Sequence, residues 1–64
     1  MKNTKFAERL TYQRKLKGLS QEQLAESTRV TVRTIQRLEK GEVTPHLRTV
    51  KLLAAALELD VDDL

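Results

Sequence analysis

Cysteine is missing from all 64 residues, which excludes disulfides and thiolate metal sites and admits a reducing compartment. No apolar run approaches the roughly 20 residues of a membrane span, and the N-terminus lacks the apolar core of a signal peptide. The sequence therefore predicts a soluble, cytoplasmic protein with no membrane association. It has no glycine-rich phosphate loop, no internal repeat and no low-complexity segment. His46 stands without cysteine or clustered carboxylates, so no metal site is expected, and no cofactor either. Nothing resembles a nucleophile–base pair or paired catalytic carboxylates, so the chain is not expected to be an enzyme. A chain this short has room for one domain, 1–64, which buries about 60% of its unfolded surface. That leaves no deep cleft, and function has to come from surface side chains.

What charge is present is unevenly placed. Residues 1–51 hold all twelve Lys and Arg against five Glu, a balance of +7, whereas residues 52–64 hold only Glu58, Asp60, Asp62 and Asp63, a balance of −4. Such bipolarity suits a protein that lays one side on phosphates and keeps the other away.

The segment Ser20–Gly41, SQEQLAESTRVTVRTIQRLEKG, organises the chain. Ser20 with Gln23 three residues later forms a capping box, which predicts a helix from Gln21 to about Ser27 with Leu24 and Ala25 inward. A short interruption, Thr28–Val30, leads to Thr31, a second N-cap, and to a helix that stops at Gly41. On a wheel of about 100° per residue, Val32, Arg33, Gln36, Arg37 and Lys40 share one arc free of negative charge. Ile35 and Leu38 form the buried stripe opposite, and Glu39 sits outside the polar arc, next to Ile35. A solvated surface helix ordinarily mixes charge signs. An all-basic and neutral face behind a tight helical turn, carrying Arg and Gln that reach base edges, points instead to double-stranded DNA. In the major groove Arg33 and Arg37 suit guanine, Gln36 suits adenine, and Val32 offers a methyl surface to thymine.

The flanking segments complete an all-α plan. A first helix, capped by Asn3 or Thr4, runs to Lys17 and stops at Gly18. Its Phe6 and Leu10 face the core, while Tyr12 and Leu16 make a second apolar pair, expected under the C-terminal segment or another subunit, with Tyr12 as a packing aromatic. After a loop from Glu42 to Pro45, a fourth helix spans about Leu47–Leu57. Leu47, Val50, Leu53, Ala54 and Leu57 close the core, and Leu52 lies off that face beside Ala55 and Ala56 as a candidate dimer contact. Asp60 is a cap for a last helix starting at Val61. Because the chain stops at Leu64, the sequence reads as a domain cut short before or within a fifth helix.

The runs GLSQEQLA, VTVRTIQRLEKGEVTP and TVKLLAAAL resemble the phage repressor and Cro type of helix-turn-helix domain, often called XRE-like, over about Leu10–Leu64. The resemblance implies a compact, lambda-repressor-like bundle of four helices plus a short C-terminal helical turn. It also implies a prokaryotic or phage transcriptional regulator that binds DNA sequence-specifically, as a homodimer. It pairs Arg14 with Glu39 as a structural ion pair and places Gln21, with Ser20 beside it, on the sugar-phosphate backbone. A helix N-terminus favours a phosphate there, and Lys40 and Arg48, joined by His46, are placed at the other end of the interface. The sequence departs from the family pattern at Arg29 and Glu58, where glycine is usual at a left-handed position. The rival reading is an antitoxin-like module that docks a protein through Tyr12, Leu16 and Leu52.

Overall fold

A computed structural model describes residues 4–64. Four helices follow in order: α1 (Thr4–Leu16), α2 (Gln21–Thr28), α3 (Val32–Glu39) and α4 (Leu47–Ala56), then one 3₁₀ turn, Val61–Asp63. Helix α1 packs on α3, α2 packs on both α3 and α4, and the final turn lies against α4. Asn3, one of two residues suggested to cap α1, lies outside the described residues. Thr4, the other, is already helical.

Each boundary has a local cause. Gly18 ends α1 at φ +72°, and its N–H donates to the Lys15 carbonyl while Leu19 N–H donates to that of Arg14. A Cβ on Gly18 would meet nothing within 4 Å, so the demand there is the positive φ and not space. At α2 the capping box is complete: Gln23 N–H donates to Ser20 Oγ at 3.0 Å and Ser20 N–H to Gln23 Oε1 at 2.8 Å. Thr31 Oγ accepts the Thr34 N–H at 3.2 Å and so opens α3. Gly41, at φ +73°, closes it by donating to Leu38, while Glu42 N–H reaches back to Arg37.

The core is one cluster. Phe6 and Leu10 enter it from α1, Leu24 and Ala25 from α2, Ile35 and Leu38 from α3, and Leu53, Ala54 and Leu57 from α4 and its C-terminal end. Leu64 closes the far side. Among the described residues every buried side-chain N and O atom has a hydrogen-bond partner.

Four expectations are corrected. Tyr12 and Leu16 are 62% and 65% exposed, so Tyr12 is no packing aromatic and the C-terminal segment does not cover the pair. Tyr12 lies about 200° around α1 from Leu10, and one stripe of α1 suffices for a single core. The C-terminal segment instead inserts Leu64 into the core, and Arg9 Nη1 donates to the Leu64 carbonyl at 3.4 Å. Leu47 is 61% exposed, while Val50 is half-buried against the core, so the core-facing stripe of α4 does not include its first residue. The last element is the expected short helical turn, in 3₁₀ form, and the Asp60 side chain makes no capping bond to it.

Candidate nucleic-acid interface

The two left-handed residues that are not glycine are Arg29, at φ 63°, and Glu58, at φ 59°. Arg29 thus keeps the left-handed conformation at a position where the family pattern has glycine. The turn is held from inside by Thr28, which is buried. Its hydroxyl donates to the Leu24 carbonyl at 2.8 Å and accepts the Val30 N–H at 3.2 Å. Arg29 N–H closes on Ala25 at 2.8 Å. Helix α3 therefore leaves the turn at a fixed angle, with Ile35 and Leu38 fully buried.

On the other side of α3, Arg33, Gln36, Arg37 and Lys40 are exposed and line a shared shallow groove with Glu42. Two details differ from the helical wheel. Val32 is half-buried against the core, so only part of its side chain remains on the outer face. Arg37 Nε lies 3.7 Å from Glu42 Oε1, with both side chains about half exposed, so one carboxylate does stand at the end of this ridge. The separation is long for an ion pair in water, and such contacts hold side chains weakly.

Behind the ridge, α1 and α3 are joined by Arg14 and Glu39. Arg14 Nε donates to Glu39 Oε2 at 2.7 Å and Nη2 to Oε1 at 3.0 Å, a bidentate geometry, while Nη1 donates to the Leu19 carbonyl at 2.8 Å. The two side chains are 10% and 7% exposed. Burial pushes the Glu39 carboxyl up, but hydrogen bonds from Arg14 and Gln21 and the charge of Arg14 outweigh it and hold the group below its ordinary value. The hydrogen bond to Glu39 raises the Arg14 guanidinium, against the opposing effect of burial.

Gln21 joins this network, with its Nε2 donating to Glu39 Oε1 at 3.1 Å. A second groove runs here between α1, α2 and α3, lined by Thr11, Arg14, Lys15, Gln21, Gln36, Glu39 and Lys40. Gln36 and Lys40 belong to both grooves, which makes the two surfaces continuous. Ser20 is exposed, its oxygen committed to the cap. Arg48 is exposed on the first turn of α4 with His46 and Thr49 and lines neither groove. The structure thus brings together Arg14, Gln21, Gln36, Glu39 and Lys40, adjoins Arg33 and Arg37 to them, and leaves Arg48 apart.

Sequence reasoning missed three residues here: Thr28, Glu42 and Lys15. For Lys15 the signal was present, since Thr11, Arg14 and Lys15 stand at i, i+3 and i+4 and share one face of α1. No helix among the described residues is long and apolar enough to cross a membrane.

A family model described as HTH_3, helix-turn-helix, matches residues 10–64. No curated protein sequence matches the chain. Among solved structures, the restriction-modification controller protein C.AhdI from Aeromonas hydrophila is similar at 33% identity and a TM-score of 0.91, over 94% of this chain and 91% of that one. An HTH_3 family transcriptional regulator from Vibrio cholerae is similar at 30% identity and a TM-score of 0.89, over 94% of this chain. The match spans 34% of the Vibrio regulator, about a third of its length.

Proposed function

The chain belongs to this HTH_3 helix-turn-helix family, and from that premise we propose that it is a transcriptional regulator that binds double-stranded DNA sequence-specifically through α3. The observation that carries the reading is the outward ridge of Arg33, Gln36, Arg37 and Lys40 on a helix anchored from behind by the buried Ile35 and Leu38. Inserted in the major groove, Arg33 and Arg37 make bidentate contacts to guanine and Gln36 to adenine, each good pair giving about 1–3 kcal/mol of discrimination. The exposed part of Val32 supplies the methyl contact to thymine. Ser20, Gln21, Lys40 and Arg48 set register on the backbone without reading sequence. The Arg14–Glu39 pair holds α1 and α3 in the orientation this docking needs.

One module of this kind covers about 600–1,000 Å² of DNA interface, so useful affinity calls for two copies. A homodimer would read half-sites about 34 Å apart. Both similar structures are of regulatory proteins by their descriptions, which supports the reading.

Selection of bound duplexes from a random pool tests it. Arg33→Ala and Arg37→Ala each relax preference at one base position, whereas Gln21→Ala weakens all sequences alike. Unchanged preference in both arginine variants would remove the base-reading role of α3.

A second reading is favoured by the exposure of Tyr12, Leu16 and Leu52. These side chains suit a docked protein partner, as in an antitoxin. Salt separates the two, because DNA affinity falls steeply with log salt while apolar docking hardly changes.

A further inference from the structure

The groove between α1, α2 and α3 contains one charged residue that the DNA reading has not used. Lys15 is exposed on α1 and lines the same groove as Lys40 from α3, with Gln21 and Gln36. At the floor, the Glu39 carboxylate is consumed internally. Oε2 accepts from Arg14 Nε, and Oε1 accepts from both Arg14 Nη2 and Gln21 Nε2. The Arg14 charge cancels that of Glu39, so the surplus positive charge of the groove belongs to the two lysines. Among the described residues neither lysine is in an ion pair, although Lys17, in the turn just past the end of α1, is held by Glu58 at 3.0 Å.

Gln21 is fixed by the same network. One N–H of its amide is given to Glu39, which leaves the second N–H as a donor beside the lysines. Two unpaired ammonium groups and an oriented amide around a neutralised floor match the chemistry of a single phosphodiester anion. The groove is continuous with the α3 ridge through Gln36 and Lys40, so a duplex lying on that ridge brings a backbone phosphate to its mouth.

We infer that Lys15 of α1 is a further phosphate contact, sharing one backbone phosphodiester with Lys40 and Gln21, so that the interface extends from the helix-turn-helix onto the first helix. This rests on the DNA reading of α3, and its test is chosen to fail separately from that reading.

The experiment is a salt titration of duplex binding by wild type, Lys15→Ala and Lys17→Ala, with folding checked by circular dichroism. Both substitutions remove one positive charge from exposed positions of the same helix end. Lys15→Ala is expected to weaken selected and unrelated duplexes by the same factor and to reduce the slope of log affinity against log salt by about 0.9, the value of one lost phosphate contact. Lys17→Ala keeps the wild-type slope. If Lys15→Ala matches Lys17→Ala while Arg33→Ala still alters base preference, the phosphate seat is overturned and the DNA reading survives. If Lys15→Ala changes which bases are selected, the residue is no backbone contact and the inference also falls. Salt-independent binding by wild type would overturn both.

Discussion

Arg29 and Glu58 carry a Cβ in a conformation that costs an L-residue about 1–2 kcal/mol. Glycine recovers that strain but loses part of the gain through a freer unfolded chain. Arg29→Gly and Glu58→Gly are therefore expected to raise stability by about 0.5–1 kcal/mol each, read as higher urea midpoints that add in the double variant. Both positions were legible through the family resemblance, which implies a glycine at each. The Arg14–Glu39 pair was legible only through the family resemblance, since a wheel places Glu39 at the core's edge without saying what it meets. Removing one partner of a pair this buried costs about 3–5 kcal/mol, so Glu39→Gln is best measured in the glycine-stabilised background. Its pH dependence has a definite sign. With the folded carboxyl held below its ordinary value, the unfolded chain binds the proton more readily and stability rises with pH across that interval. The contribution is complete above about pH 4.3 and is lost as pH falls through the folded value. Urea midpoints of the parent should decline below pH 4.3 more steeply than those of Glu39→Gln, and equal slopes would contradict the pair's role.

At the scale of the elements, the hydroxyl caps of α2 and α3 and the stops at Gly18 and Gly41 placed those boundaries to within about a residue, because a Ser or Thr hydroxyl and a left-handed residue are local signals. Helix α2 runs to Thr28, one residue past the reading, since the Thr28 hydroxyl bonds back into the helix. Burial was less legible. Period alone put Leu47 in the core and gave Tyr12 and Leu16 a cover, but whether a stripe meets a partner depends on where neighbouring helices end, and no local signal carries that. The same limit hid the groove beside Lys15, which exists only once α1 and α3 are packed together, although the shared face of Thr11, Arg14 and Lys15 was readable. Thr31 supplies the cap that begins α3 directly after the turn. Thr31→Ala is expected to lower stability by about 1 kcal/mol in urea unfolding while leaving the bases selected unchanged. A shifted base preference would mean that this cap also sets the angle at which α3 meets DNA.

Across the whole molecule, extents of 28 × 23 × 21 Å match one half-site and fall short of two centred 34 Å apart, which is why the proposed function requires a second copy. Leu52 is exposed on α4 beside Leu47 and Ala55, on a face rimmed by Arg48 and Lys51. If that face joins two copies, Leu52→Glu should shift sedimentation from dimer to monomer and weaken binding to a two-half-site duplex far more than to a single half-site. An unchanged sedimentation coefficient would place the contact elsewhere. The gross charge asymmetry was plain in the sequence, whereas the continuity of the α3 ridge with the α1 groove was not. The central claim is that this ridge is the surface that meets DNA, and nuclear magnetic resonance during titration with a selected duplex tests it most directly. The account predicts the largest shifts at the side chains of Arg33, Gln36 and Arg37 and at Gln21, with Leu10, Leu24 and Leu53 still. Shifts confined to Tyr12, Leu16 and Leu52, with α3 silent, would contradict it.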